Sequence, residues 1–341
     1  MKILYGVQGT GNGHITRARA LAPALRKAGV EVDYVFSGRD SNRYFDMEAF
    51  GDYRAFTGLT LMMKAGRLDY PATLLRNHPL RFLSDVFDLD TRDYDLVLTD
   101  FEPVTAWAGR RHGSRVIGVG HQYAFRYPVP LGGATLAGRA VFNYFAPATE
   151  AVGLHWHHFD QPILPPLIPS MLPAGNCDPK LVVVYLPSAK LETLLTTLTV
   201  FSDYRFQVYT DVDQDQQFDQ VCLKPFSRAG FQQDLGSCNA VVCNAGFALV
   251  SEVLALGKKA LVIPLRGHME QLSNAAALRD LHYLVTTPAL TTEALGKVLE
   301  AAPGLPHHYP DVATLLVKRL LSGKSLTERA WVASVWAQTA P

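Results

Sequence analysis

No excess of either charge marks this chain of 341 residues: 32 basic side chains face 31 acidic ones, and the formal net charge is +1. Proteins that grip nucleic acid normally carry a marked basic excess, so that class of partner is excluded as an expectation. Nor is there an apolar run approaching the ~20 residues a bilayer-spanning helix needs. The opening Met1-Lys2-Ile3-Leu4-Tyr5-Gly6-Val7 breaks into glycines before any signal-peptide core could form, and it reads as a buried first strand. Only four cysteines occur (Cys177, Cys222, Cys238 and Cys243), without a CxxC pair or a zinc-ligand spacing, so free thiols of a cytoplasmic protein are the better reading. Peripheral attachment to a membrane stays open.

What is present is a hydrophobic content of 48% and a length that, at roughly 100–200 residues per domain, favours two domains with a cleft between them. Short apolar strands alternate with helical stretches, the pattern of parallel α/β sheets. The first half offers strands at 2–7, 31–36, 94–99 and 115–119, and a helix over 15–28 closed by Gly29 and interrupted by Pro23. A new apolar strand at 181–186 begins a second series: a helix from about Lys190, then strands near 204–209, 219–223, 240–243 and 259–263. Between the two series, residues 161–169 hold four prolines in nine, which reads as a stiff connector. The expected organisation is an α/β chain with a first Rossmann-like domain over 1–160 and a Pro-rich linker over 161–178. A second domain follows over 179–322, then a C-terminal helix over 323–341 carrying Trp331 and Trp336, amphipathic and able to pack back on the first domain.

Gly9-Thr10-Gly11-Asn12-Gly13-His14 follows the first strand and opens the first helix. Glycines there suit positive φ and close backbone approach, and helix-start N–H groups attract an anion. The dinucleotide fingerprint GxGxxG is not met, because histidine follows the second glycine of Gly11-Asn12-Gly13. His14 at the mouth of such a turn is placed to take a proton. Asp100, ending its strand, is either the carboxylate that fixes the imidazole tautomer or a helix N-cap. Glu102 is a weaker candidate for the same task, and His121 is expected to line the same cleft without assigned chemistry.

In the second half a buried strand runs through Asn244-Ala245-Gly246-Phe247 into a helix bearing Glu252, and the next strand leads through a loop to His268-Met269-Glu270-Gln271. The helix start near Gly246 offers N–H groups to a diphosphate, Glu252 can accept both hydroxyls of a ribose, and Glu270 with Gln271 can meet sugar hydroxyls. These segments resemble the donor-binding region of GT-B glycosyltransferases, in particular the bacterial peptidoglycan N-acetylglucosaminyltransferase family (glycosyltransferase family 28-like). The resemblance spans roughly residues 1–285. It implies two Rossmann-like domains facing across a cleft, a nucleoside-diphosphate sugar as co-substrate with UDP favoured, and no cofactor or metal. It further implies His14 as base and, with Gly11 and Gly13 in the first motif, Ser188 near a phosphate and Phe226 near the nucleobase. The acceptor, a saccharide or a lipid-linked molecule at the cell envelope, stays open. Asn244 departs from the family's glycine or histidine at the diphosphate turn.

Three motifs are set aside. Asp211-Val212-Asp213-Gln214-Asp215 resembles a DxD metal motif but reads as a solvated acidic loop. His155-Trp156-His157-His158 could place two imidazoles toward zinc, yet without a third ligand a structural origin is preferred. The stretches 59–64 and 76–82 mix apolar and basic residues that could face an acceptor or an anionic membrane. The opening also looks like that of nucleotide-sugar hydrolases of sialic-acid-like pathways, so water as acceptor is the alternative reaction, and a non-catalytic nucleotide-sugar sensor is a third class. A dehydrogenase is disfavoured, since Ser37-Gly38-Arg39-Asp40 lacks the expected acid directly after the second strand.

Overall fold

The computed structural model describes residues 1–60, 63–64, 67–68, 77–133, 135–169, 172 and 175–340. These fall into two compact units. The first takes the described residues of 1–129, 133–169 and 309–340, the second those of 130–132 and 172–308.

The first unit is built on a seven-stranded sheet ordered β3-β2-β1-β6-β7-β8-β9. Its strands are β1 (Lys2–Gln8), β2 (Glu31–Ser37), β3 (Tyr53–Phe56), β6 (Leu96–Asp100), β7 (Val116–Gly120), β8 (Glu150–Leu154) and β9 (Ile163–Leu164). A separate two-stranded ribbon pairs β4 (Met63–Lys64) with β5 (Arg67–Leu68). Every pairing in the large sheet is parallel, so its strands need helices on both faces and run apolar throughout. β6 and β7 are buried at all five positions, as such strands must be. The order reverses between β1 and β6, which opens a crevice at the carboxyl ends of those two strands.

Among the described residues, four α-helices lie between the strands of this unit: α1 (Asn12–Lys27), α2 (Pro79–Asp88), α3 (Pro103–His112) and α4 (Leu136–Tyr144). α1 buries Ile15, Ala18, Leu21, Ala22 and Leu25, a spacing that returns to one side every three to four residues. Burying one such leucine contributes about 1.5–3 kcal/mol. Gly29 takes φ +69° just past the helix, the left-handed stop its sequence position suggests. Pro23 sits inside α1 on an exposed position, so its ring meets solvent rather than the sheet.

The second unit repeats the plan. Its sheet is ordered β12-β13-β11-β10-β14-β15-β16, parallel except for the β12 edge. The strands are β10 (Asp178–Tyr185), β11 (Arg205–Tyr209), β12 (Gln216–Phe218), β13 (Val221–Lys224), β14 (Cys238–Asn244), β15 (Lys259–Ile263) and β16 (Val285–Thr286). The helices are α5 (Leu191–Leu198), α6 (Arg228–Ser237), α7 (Phe247–Ala255), α8 (Met269–Asp280) and α9 (Thr292–Glu300). Here the order reverses between β10 and β14.

Two expectations about organisation need correction. The Pro-rich stretch 161–169 is not only a connector: Ile163 and Leu164 form β9, buried, paired with β8, and they complete the first sheet. The chain also rejoins the first unit at Tyr309 rather than at 323, so α10 (Val312–Leu321) belongs with α1 there, followed by α11 (Arg329–Trp336). Glu150 of β8 accepts from Ser325 Oγ at 2.5 Å and from the Leu326 amide at 2.6 Å, and Trp336 Nε1 donates to the Ile163 carbonyl at 2.6 Å. No described helix is long and apolar enough to cross a membrane.

Candidate active site and donor site

The first site forms where the strand order of the first sheet reverses. β1 ends at Gln8, the chain turns through Gly9-Thr10-Gly11, and α1 starts at Asn12. None of Gly9, Gly11 and Gly13 uses positive φ, contrary to the expectation from the sequence. For Gly9 and Gly11 what counts is space. A β-carbon on Gly9 would fall 2.2 Å from the Tyr44 hydroxyl and 2.9 Å from the Ser37 carbonyl, whereas one on Gly11 would meet nothing within 4 Å. Gly11 is also the N-cap of α1 and supplies no side-chain acceptor, and the first turn holds no acid. The leading amides of the helix therefore keep their affinity for an incoming anion.

His14 sits in the first turn of α1, with only 8% of its surface exposed. Its Nδ1 lies 2.9 Å from Asp100 Oδ1. Asp100, at the end of β6, is buried and is gripped by Arg17 twice: Nε donates to Oδ2 at 2.9 Å and Nη2 to Oδ1 at 2.7 Å. Burial alone would raise the Asp100 pKa, but the charges of Arg17 and His14 and their hydrogen bonds outweigh it and hold the carboxyl below its ordinary range. Asp100 is thus not the helix cap. That task falls to Glu102, which accepts from the amides of Val104 at 2.8 Å and Thr105 at 2.7 Å, from Thr105 Oγ1 and from Ser37 Oγ. Burial pushes its pKa up despite these donors. Phe101 between the two acids takes φ +55°, and this left-handed step turns one carboxylate toward α1 and the next toward α3.

His121 does not line this site. It is fully buried, its Nδ1 2.8 Å from the Leu154 carbonyl and its ring against Phe125 and His155. Its neighbour Gln122 reaches the site instead, with Nε2 3.4 Å from His14 Nε2 and Oε1 3.5 Å from Arg17 Nη2. Sequence reasoning missed Arg17 and Gln122. Arg17 had one readable signal: it stands three residues after His14 and so shares its helix face.

The second site lies at the reversal of the second sheet. Gly246 caps α7 with φ −76°, no side-chain acceptor and no acid in the first turn, and a β-carbon there would meet nothing within 4 Å. The turn is fixed from outside. Asn244 Nδ2 donates to the Ile263 carbonyl at 2.8 Å, and buried Asn274 of α8 donates to the Ala245 carbonyl at 2.9 Å. That bond ties the turn before α7 to the middle of α8, the helix whose start carries His268, Glu270 and Gln271. His268 caps α8 through Nδ1, and Gln271 Oε1 accepts from the Leu265 amide at 2.9 Å. Ser188 is exposed just past β10, the strand beside β14. Phe226 is exposed, its ring 6.2 Å from Tyr185. Glu252 is buried within α7 and accepts from Gln232 Nε2 at 2.8 Å. Burial raises its pKa, while Gln232 and the Arg228 charge pull the other way.

The motifs set aside resolve into structure. The 211–215 segment is a mostly exposed loop before β12. In the histidine run, Nδ1 of His155, His157 and His158 accepts the amides of Trp156, Phe159 and Asp160, each at 2.9 Å, so these nitrogens shape a turn. Among the described residues no three His, Cys, Asp or Glu converge as metal ligands. The stretches 59–64 and 76–82 lie partly outside the described residues; of the rest, Leu80 of α2 is exposed.

Two parallel sheets of reversed strand order, each with an uncapped glycine turn at its switch point, define the GT-B class of glycosyltransferase architecture, and solved structures agree. SnogD, a glycosyltransferase from Streptomyces nogalater, is 18% identical with a TM-score of 0.57, covering 99% of both chains. SsfS6, a glycosyltransferase from Streptomyces sp. SF2575 solved with thymidine diphosphate, is 13% identical with a TM-score of 0.60, covering 98% of this chain and 96% of that one. UGT89C1 of Arabidopsis thaliana, solved with UDP-L-rhamnose, is 13% identical with a TM-score of 0.61 over 98% of each. No curated protein matches the sequence. The description "Glycosyl transferase family 1" matches residues 1–303, and the chain belongs to that family. It is a glycosyltransferase. The narrower likeness to the peptidoglycan family is not what this match names.

Proposed function

We propose that the protein moves a sugar from a nucleoside-diphosphate donor to a hydroxyl acceptor by a single inverting displacement, with His14 as general base. The observation that carries this reading is the 2.9 Å contact between His14 Nδ1 and the buried carboxylate of Asp100. With a proton on Nδ1 donated to Asp100, Nε2 keeps its lone pair and can accept the acceptor's hydroxyl proton. The freed oxygen forms its bond to the anomeric carbon as the bond from that carbon to the diphosphate oxygen breaks, and Asp100 stabilises the imidazolium that results.

The donor side of the proposal rests on the second unit. Amides at the start of α7 meet the diphosphate and offset its charge as it leaves, without a metal in the chemistry. Glu252 accepts from the ribose, Ser188 and Phe226 approach a phosphate and the base, and His268, Glu270 and Gln271 approach the sugar. That SsfS6 was solved with thymidine diphosphate and UGT89C1 with UDP-L-rhamnose supports nucleotide sugars as donors, with UDP or thymidine diphosphate as the carrier. Water as acceptor, giving a nucleotide-sugar hydrolase, is the second reading, favoured by the histidine-bearing glycine turn alone.

The test is release of nucleoside diphosphate from UDP-, GDP- and dTDP-sugars, with and without hydroxyl acceptors. His14→Ala is expected to lower kcat/KM by about 10²–10⁴ while leaving nucleotide binding intact, and EDTA to leave turnover unchanged. Full activity in the variant removes His14 from its role. Equal release without any acceptor selects the hydrolase.

A further inference from the structure

His14 Nδ1 has two neighbours that make opposite demands on it. Asp100 Oδ1, at 2.9 Å, can only accept a proton; Arg17 Nη2, at 2.8 Å, can only donate one. If Nδ1 carried no hydrogen it would accept from Arg17, the proton would sit on Nε2, and His14 could take nothing from a substrate. Gln122 resolves the conflict. Its Oε1 is a second acceptor within 3.5 Å of Arg17 Nη2, and its Nε2 lies 3.4 Å from His14 Nε2, where it donates only if that nitrogen holds a lone pair. When Nδ1–H donates to Asp100, Arg17 donates to Asp100 and to Gln122 rather than to His14, and the Gln122 amide donates weakly to Nε2, so that of these contacts only the approach of Arg17 to Nδ1 makes no hydrogen bond. An acceptor hydroxyl would displace that last, long bond.

We infer that Arg17 is a positioning residue: by gripping both oxygens of Asp100 it holds the carboxylate against His14 Nδ1, where Asp100 selects the Nδ1–H tautomer, and by neutralising Asp100 it keeps the imidazole from being held as a permanent cation. The inference rests on His14 being the base. A buried carboxylate with no other counter-charge would stabilise the imidazolium strongly, and a histidine already protonated at neutral pH is no base. Arg17 is 2% exposed, so solvent screens its charge little. Among the described residues, the other groups around the pair leave it the only fixed cation there. Tyr5 of β1 and Tyr123 beyond β7 are buried, their phenols pushed up by burial and kept neutral, and Glu102 faces Ser37 and Thr105 rather than His14.

The experiment is nitrogen-detected NMR of the full chain labelled at histidine, with the His14 signal identified by its loss in His14→Gln. Above its titration, wild-type His14 is expected to show protonated Nδ1 and bare Nε2. Arg17→Met is expected to raise the His14 titration midpoint by about one pH unit or more, the size of effect a neighbouring charge exerts, and to move the acid limb of kcat/KM with it. Arg17→Lys, which keeps the charge without the two-pronged grip, is expected to hold the midpoint near wild type and lower kcat more than it changes KM. A proton found on Nε2 in the wild type overturns the inference whether or not the variants fold, as does a midpoint that stays or falls in Arg17→Met. Because tautomer and midpoint are read without turnover, an active His14→Ala would sink the assignment of the base and leave this measurement standing on its own.

Discussion

Two acids two positions apart, Asp100 and Glu102, show how much a single left-handed residue decides. Phe101 sends the first to a histidine and an arginine and the second to a helix start. Their titrations then oppose each other. The depressed pKa of Asp100 gives stability that is present above the ordinary aspartate value near 3.8 and lost as pH falls through the folded value. The raised pKa of Glu102 gives stability that is complete below its ordinary 4.5 and lost as pH rises through the folded value. Gly120 marks how closely this corner is packed, since a β-carbon there would stand 2.8 Å from Asp100 Oδ1. Gly120→Ala should therefore displace the carboxylate from His14 and cut kcat at least tenfold, with nucleotide affinity unchanged in calorimetry. Wild-type kcat would show that the carboxylate can shift without consequence. His14 and Asp100 stood out in the sequence because one opens the helix after the first strand and the other ends a strand of obvious type, but whether Asp100 faced the histidine or capped a helix stayed open there. Arg17 was not, because an arginine on an amphipathic helix usually faces water, and only the fold reveals that this one is enclosed.

At the scale of elements, the turn after β8 shows histidine used as a building material. His155 is fully buried against His121 and Trp156, and its Nδ1 accepts the Trp156 amide. Burial, with His121 and His157 adding to it, drives its pKa well below 6.5. The unfolded chain binds this proton from about pH 6.5 downward and the folded chain does not, so stability must fall as pH falls below that value, by about 1.4 kcal/mol per unit. Urea unfolding between pH 7.5 and 5 should show that slope in the wild type and a flatter one in His155→Phe. Equal slopes would assign the acid sensitivity elsewhere. The histidine run was read from sequence as structural for want of a third metal ligand. The use of each Nδ1 as a turn acceptor was out of reach, since the amides that His157 and His158 accept belong to Phe159 and Asp160, whose φ values of +49° and +56° include one that a bulky aromatic seldom adopts.

For the molecule as a whole, the chain's path matters more than its length. After completing the second sheet it returns to the first unit, where α10 packs on α1 and α11 lies along β9. Truncation after His308 should thus destabilise the first unit, although the residues removed follow the second. Hydrogen exchange is expected to lose protection in α1, β8 and β9 and to keep it in β10 and β14; uniform loss, or none, would contradict the assignment of the tail. The return was only half readable. The amphipathic helix with its two tryptophans was visible, but α10 resembles any further helix of the second unit because its apolar spacing does not say which sheet it covers.

The sequence by itself determined the tandem α/β plan, the two glycine turns and the histidine at the first of them, because apolar alternation and turn chemistry are local properties that neighbouring residues express together. The tertiary structure alone decided which carboxylate faces His14, that Arg17 and Gln122 complete its surroundings, that Asn274 ties α8 to the turn before α7, and where the chain's end belongs. Each of those depends on side chains brought within 2.5–3.5 Å of their partners across gaps of 29 to 175 residues in the chain, and no local pattern encodes which distant partner a buried polar group will find.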